Sequence, residues 1–105
     1  MIRVTNRHHG VQPGVTVYVG RGTPLGNPFR TFKAGGMYSH DQAVKCYDLY
    51  LRQAIAGKRK PVCLELNRLY KLAVAGDLNL ECSCAPQSCH ADSIKAVLDE
   101  ALAKR

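Results

Sequence analysis

Three short apolar runs along the chain predict β-strands. Residues Ile2 to Thr5 and Val15 to Val19 are rich in β-branched side chains and are bounded by Asn, Gly or Pro, which is typical of strands. A third run extends from Leu78 to Cys82 and leads into the polar, loop-like sequence SCAPQS. We therefore expect three strands, the last of them late in the chain.

Three longer segments carry apolar residues at helical spacing. The first begins at Ser39, which opens an S-x-x-Q capping box, and ends at Gly57. The second follows Pro61 and ends near Gly76, where a glycine again stops the pattern. The third has its N-terminus at Cys89, with Ser88 placed to cap it.

The order of these elements predicts a small α/β layer fold in a single domain spanning residues 1–105, with about three strands packed against about three helices. A helical crossover joins the second and third strands, so we expect these two to be parallel. Ligands of such sheets bind beyond the carboxyl ends of the strands. The segments that follow these two strands, Gly20 to Phe29 and Cys82 to Asp92, should therefore face one another.

Composition narrows the class of protein. Hydrophobic residues make up 46% and charged residues 22% of the 105 residues, which is ordinary for a globular domain. Neither a secretory signal nor an apolar run long enough to span a membrane is present in the sequence, and we expect a soluble, cytoplasmic protein. The five cysteines are odd in number and clustered, which favours free thiols or metal ligands over disulfides.

The net charge of +7 is unevenly distributed, since no acidic residue precedes Asp41. The unopposed basic residues of the first 40 positions are Arg3, Arg7, Arg21, Arg30 and Lys33. Such a basic region would attract phosphate-bearing ligands or nucleic acid. The alternative is a basic surface that serves solubility alone.

The Gly20 to Phe29 segment has the composition of an anion-binding loop. Its three glycines permit sharp turns and a close approach of the backbone to a ligand, and Arg21 offers a planar donor for phosphate or carboxylate. Its spacing matches neither a Walker A sequence nor G-x-G-x-x-G, so a structural turn is the competing interpretation. The candidate ligand-binding residues are Gly20, Arg21, Gly22, Gly26, Asn27, Pro28 and Phe29.

The Cys82 to Asp92 segment places four potential metal ligands or nucleophiles within nine residues. One interpretation is zinc, which prefers thiolate and imidazole ligands. The candidate ligands are Cys82, Cys84 and Cys89, with His8 or His9 as a fourth. The spacing C-x-C-x₄-C-H lacks the paired C-x₂-C pattern of common structural zinc sites.

A second interpretation is a reactive thiol. Cys89 is expected in the first turn of a helix and partly exposed, where backbone amides favour the thiolate and bind anions. His90 and Asp92 would then move protons, while Arg21 would hold the anionic part of a substrate. The third interpretation is structural, with buried thiols around a tight turn and His90 only hydrogen-bonded.

The sequences VYVGRGTPLGNPF and LECSCAPQSCHADSI together resemble the family called domain of unknown function 4326, which is common in phages and bacteria. The resemblance covers most of the chain and implies a site at two groups of residues, Gly20, Arg21, Gly26, Asn27, Pro28 and Phe29 early, and Cys82, Cys84, Pro86, Cys89, His90 and Asp92 late. Ser83, Ala91 and Leu25 depart from the family pattern, which at two of these positions favours an aromatic. The resemblance suggests a phage or mobile-element origin and supplies no activity.

Two hypotheses of function follow. The first is a small enzyme acting on a nucleotide-like or phosphorylated substrate held between the two segments. The second is a non-catalytic module that binds nucleic acid or protein through its basic residues, with a structural cysteine element.

Overall fold

A computed structural model describes residues 1–6, 12–82 and 89–105 of the chain as a three-stranded parallel sheet packed against three α-helices. The strands are β1 (Ile2–Asn6), β2 (Val15–Tyr18) and β3 (Leu78–Cys82), arranged in the order β1-β3-β2. Both outer strands run parallel to β3. The predicted α/β fold and the parallel pairing of β2 with β3 are therefore confirmed.

The register of the strands gives the sheet an apolar and a polar face. Val4, Leu80 and Val17 are aligned across the three strands, on the face that carries the apolar side chains of β3. Neighbouring positions in a strand point to opposite faces, so Asn79 lies on the other face, aligned with Arg3. One face of the sheet thus supplies the core, and the other carries polar side chains.

This register corrects the expectation that Arg3 is unopposed. Its guanidinium lies 3.4 Å from a carboxylate oxygen of Asp77 and 3.4 Å from the amide oxygen of Asn79. The amino terminus at Met1 lowers the pKa of Asp77, and Arg3 adds to this effect. The ion pair of Arg3 with Asp77 could not be predicted from the sequence, because only the parallel alignment of β1 with β3 brings residue 3 beside residue 77.

The three helices are α1 (His40–Ala56), α2 (Lys60–Ala75) and α3 (His90–Ala103). The predicted capping box of α1 is present: the hydroxyl oxygen of Ser39 accepts a hydrogen bond from the amide of Gln42, whose side chain accepts one from the amide of Ser39. Helix α2 begins before the predicted start, since Pro61 lies within its first turn. Proline is tolerated there because the first amides of a helix have no intrahelical acceptor.

Helix α3 is capped at Cys89 rather than at Ser88, which lies outside the described residues. The carboxylate of Asp92 accepts a hydrogen bond of 2.9 Å from the amide of Cys89. A carboxylate three residues into a helix can thus satisfy the amide of the N-cap residue from within the helix.

The helices cover the apolar face of the sheet and form one core with it. Its largest fully buried side chain is that of Tyr47, on α1. The loop that follows β2 is anchored by two of its own residues, Val19 and Leu25, which are buried in the same core.

The connection between β2 and α1 contains local structure. It includes a 3-10 turn at Phe32–Ala34 and a bridge between Thr31 and Tyr38. Gly35 adopts the left-handed conformation with φ of 81° and ends the 3-10 turn, so glycine here completes a local structure. No helix among the described residues is long and apolar enough to cross a membrane.

Candidate active site

The loop after β2 and the N-termini of α1 and α3 enclose a cleft of about 1050 Å³. Both predicted segments contribute to it, since Gly20 and Arg21 lie in its wall together with Cys89 and His90. The two chemically unusual segments therefore meet at one end of the sheet, as the parallel arrangement of β2 and β3 predicts.

His90, the first residue of α3, is fixed to the loop by a direct hydrogen bond. Its Nε2 atom lies 2.6 Å from the carbonyl oxygen of Val19. A carbonyl can only accept, so Nε2 carries the proton and donates it. Burial lowers the pKa of His90, against the opposing effects of Val19 and Asp92. The imidazole is therefore neutral at pH 7, and its other nitrogen, Nδ1, is left as an acceptor.

Cys89 lies beside that acceptor. Its Sγ atom is 3.4 Å from Nδ1 of His90, which allows the thiol to donate to the imidazole. The two side chains form a thiol–imidazole pair in the wall of the cleft. Cys89 is only 1% exposed, so the expected partial exposure of this cysteine is wrong. Cys89 is the N-cap residue of α3 and belongs to the buried core.

The side chain of Tyr47 contacts His90 and the loop, and this role was not predicted from the sequence. Its ring centroid is 5.0 Å from that of His90, and its hydroxyl donates a hydrogen bond of 2.6 Å to the carbonyl oxygen of Leu25. Burial is the main cause that raises the pKa of Tyr47, which keeps the hydroxyl protonated. A tyrosine among aliphatic core positions of a helix signals a buried hydrogen bond.

The glycines of the loop have structural reasons for being there. Gly22 has a φ of 88°, in the left-handed region that favours glycine. A Cβ atom on Gly26 would lie 2.7 Å from the carbonyl oxygen of Gly20. That same carbonyl accepts hydrogen bonds from the amide and the hydroxyl of Thr23. The glycines are therefore explained by a compact turn, which carries Arg21 at its edge.

Asn27 stabilises the loop. Its Oδ1 accepts a hydrogen bond of 2.9 Å from the amide of Phe29, and its Nδ2 donates to the carbonyl oxygen of Ala43 on α1 at 3.3 Å. These bonds fit the turn-capping alternative for this residue. The side chain also lines the cleft, so a contact of Asn27 with a ligand stays a prediction.

Arg21 is the one charged side chain among the seven predicted ligand-binding residues. It is exposed, lines the cleft, and also lines a smaller cavity of about 330 Å³. Pro28 and a second arginine, Arg30, lie in the wall of that smaller cavity. Among the described residues, no carboxylate forms an ion pair with Arg21. The guanidinium therefore remains available to an anionic ligand.

Aromatic side chains form a further part of the cleft, of which only Phe29 was identified from the sequence. Tyr18, Phe29, Phe32 and Tyr38 all line it. Phe29 and Tyr38 pack edge to face with their centroids 5.5 Å apart, and Phe32 is 66% exposed.

The remaining predicted residues lie away from the cleft or outside the described part of the chain. Asp92 is exposed and caps α3, and Cys82 is buried at the end of β3. Cys84, His8 and His9 lie outside the described residues. Within residues 1–6, 12–82 and 89–105, no group of three or more His, Cys, Asp or Glu could hold a metal ion. Zinc binding stays a prediction.

Comparison with known proteins identifies the family. The family model described as Domain of unknown function (DUF4326) matches residues 2–100, and the chain belongs to this family. The resemblance noted in the sequence is thereby confirmed. No curated protein and no solved structure matches the chain.

Proposed function

We propose that this member of the DUF4326 family is a small enzyme that acts on a phosphorylated or nucleotide-like substrate, with Cys89 as its nucleophile and His90 as the proton acceptor. The observation that carries the proposal is the separation of 3.4 Å between Sγ of Cys89 and Nδ1 of His90 in the wall of a large cleft. Nucleophile and base within reach of each other, with the base oriented by a third group, is the general pattern of covalent catalysis.

The hydrogen bond from His90 to Val19 sets the direction of proton transfer within this pair, from the thiol to the imidazole. Because Nε2 of His90 donates to a carbonyl oxygen, the lone pair of Nδ1 is turned to the thiol and can take its proton. The imidazolium that forms keeps its bond to the carbonyl of Val19, which favours the charged form. The thiolate sulfur then attacks an electrophilic atom of the substrate, and Nδ1–H can return the proton to the departing group.

The basic side chains around the cleft support an anionic substrate. Arg21 and Lys33 line the cleft and carry positive charge, opposed there by one carboxylate, that of Asp41. Arginine suits phosphate because its planar guanidinium donates two parallel hydrogen bonds. Asp92 supports the pair indirectly, since its carboxylate fixes the amide of Cys89.

The reactivity of the cysteines tests the proposal, because exposure and mechanism predict opposite orders. Cys46 and Cys63 are half-buried, whereas Cys89 is almost fully buried. If the thiols are inert, a small haloacetamide should label Cys46 and Cys63 first. If His90 activates its neighbour, Cys89 should be labelled first, at a pH below the ordinary thiol pKa of about 8.5. Peptide mass spectrometry of native protein identifies the labelled site.

Two variants complete this test. His90→Gln retains a donor for the carbonyl of Val19 but removes the base, and should slow labelling of Cys89 at least about tenfold. Cys63→Ser is the matched control and should leave the rate at Cys89 unchanged. Turnover is sought by ³¹P NMR on a panel of nucleotides and sugar phosphates, and Cys89→Ser should abolish any conversion found. Equal, slow labelling of Cys89 in wild type and His90→Gln would refute the proposal.

The binding-module hypothesis predicts a different result. The basic residues Lys58, Arg59 and Lys60 lie at the exposed turn between α1 and α2, away from the cleft lining. Binding that falls steeply with salt and depends on this turn rather than on Arg21 would favour a nucleic-acid-binding module over an enzyme.

A further inference from the structure

We infer that the ligand of the cleft is a nucleoside phosphate whose base stacks on Phe32 and whose phosphate is held by Arg21 and Arg30. The inference rests on the proposed function and narrows its substrate class. It combines an exposed aromatic side chain in the cleft with a neighbouring cavity lined by two arginines.

The backbone of Phe32 is fixed within the loop by hydrogen bonds. Its amide donates a hydrogen bond of 2.9 Å to the carbonyl oxygen of Tyr38, and its own carbonyl accepts one from the amide of Gly35. The bridge between Thr31 and Tyr38 closes the loop around it. A phenylalanine on a fixed backbone whose side chain is 66% exposed can offer its face to a planar ligand, and every nucleobase has such a face.

The edge-to-face pair of Phe29 and Tyr38 extends the aromatic wall. Phe29 also packs against Tyr50 with a centroid separation of 6.1 Å, which fixes its position from the core side. These rings give the base an apolar surround, whereas a sugar phosphate without a base would leave them exposed to water.

The charges assign the phosphate to the smaller cavity. Arg21 lies in the walls of both cavities and Arg30 in that of the smaller one, whose described lining contains no carboxylate. The larger cleft contains Lys33 but also Asp41, whose carboxylate would repel a phosphate but can accept hydrogen bonds from ribose hydroxyls or a base amino group. Phosphate beside Arg21 and base beside Phe32 is therefore the arrangement that the charges favour.

The cleft volume of about 1050 Å³ is at the upper end of the range of roughly 300–1,000 Å³ found for small-molecule sites. A base and its sugar leave room in such a cleft for a second reactant next to Cys89.

Isothermal titration calorimetry at fixed ionic strength tests this inference. The probes are the nucleoside 5′-monophosphates, ribose 5-phosphate, the free nucleosides and inorganic phosphate. Stacking on an aromatic side chain contributes about 1–3 kcal/mol per base, so the best nucleotide should bind roughly 5- to 150-fold more tightly than ribose 5-phosphate. A 5′-phosphorylated trinucleotide is added to the panel. If it binds most tightly, the source of the nucleotide is the end of a nucleic acid, and the assigned chemistry is the same.

Variants assign the two halves of the ligand. Phe32→Ala should weaken nucleotide binding by the same factor and leave ribose 5-phosphate unaffected. Arg21→Ala should weaken both phosphorylated ligands and spare the nucleosides. Leu64→Ala is the control, since Leu64 is 65% exposed on α2 and should change nothing.

The failures of the inference and of the proposed function are distinguishable. If ribose 5-phosphate binds as tightly as every nucleotide, or if Phe32→Ala has no effect, then the nucleoside inference is wrong while a phosphorylated substrate stands. If no phosphorylated probe binds and Cys89 is unreactive, then the proposed function is wrong as well.

Discussion

The hydroxyl of Tyr47 provides a sharp test of how the loop is held to the helices. Substituting Tyr47→Phe removes one oxygen atom and keeps the ring, including its contact with His90 at 5.0 Å. The carbonyl oxygen of Leu25 then loses its donor at 2.6 Å. Tyr47 is fully buried and Leu25 is 1% exposed, so water cannot readily replace the hydroxyl.

The expected magnitude follows from that burial. Leaving a buried acceptor unpaired costs about 1–3 kcal/mol, and for a small domain each kcal/mol lowers Tm by about 4–8 °C. Urea unfolding followed by circular dichroism should show a reduced midpoint with an unchanged m-value, because the surface exposed on unfolding is the same. The amide of Gly26, which bonds to the carbonyl of Thr23, should lose protection from hydrogen exchange.

Tyr70→Phe is the matched control. Tyr70 is half-buried on α2, and its hydroxyl forms no hydrogen bond with a described residue, so its loss should change the free energy of unfolding by less than about 0.5 kcal/mol. The reasoning is refuted if Tyr47→Phe is as harmless as Tyr70→Phe, or if it destabilises the protein without affecting the exchange of Gly26.

Three further predictions concern the site and its supports. Burial lowers the pKa of His90, so as pH falls the unfolded chain binds a proton before the folded one does. The free energy of unfolding should therefore fall as pH drops below about 6.5. His90→Gln should reduce this dependence of the free energy of unfolding on pH, measured by urea titrations. Gly22→Ala should lower the free energy of unfolding by about 1–2 kcal/mol because the φ of Gly22 is 88°. Gly76→Ala is the control and should be neutral, since Gly76 has an extended φ of 171° with open space around it. Equal effects of the two substitutions would exclude conformational strain as the cause. Asp92→Ala should destabilise the protein by about 1 kcal/mol through loss of the cap on α3, and Asp92→Asn by less, in the same unfolding assay.

Local patterns in the sequence were sufficient to predict the elements. The Ser39 capping box and the run from Leu78 to Cys82 appear in the structure with the predicted bounds. Both depend on residues close together in the chain. The pairing of β1 with β3 could not be predicted in this way, because it joins Ile2 to Leu78, and neither sequence carries a signal for the other.

The same division applies to the candidate site. Residue chemistry identified Cys89, His90 and Arg21, and the parallel-strand rule predicted that they would lie at one end of the sheet. The contacts that give them their properties are long-range, above all the bond from His90 to the carbonyl of Val19. Phe32 was overlooked because a single aromatic residue in a glycine-rich loop has no periodic pattern, and its significance depends on the cavity into which the loop folds.

The direction of the His90 hydrogen bond also separates the interpretations of the cysteine segment. A purely structural histidine needs only to satisfy its buried nitrogens, and a bond from Nε2 to Val19 achieves half of that. The other nitrogen, Nδ1, could have been satisfied by a backbone amide, yet its neighbour at 3.4 Å is the thiol of Cys89. A thiol is a weak donor, so this partner is a poor choice for stability alone and an effective one for proton transfer. The proposal of a reactive thiol rests on this pairing, and the reactivity of Cys89 relative to its more exposed counterparts is the measurement that tests it.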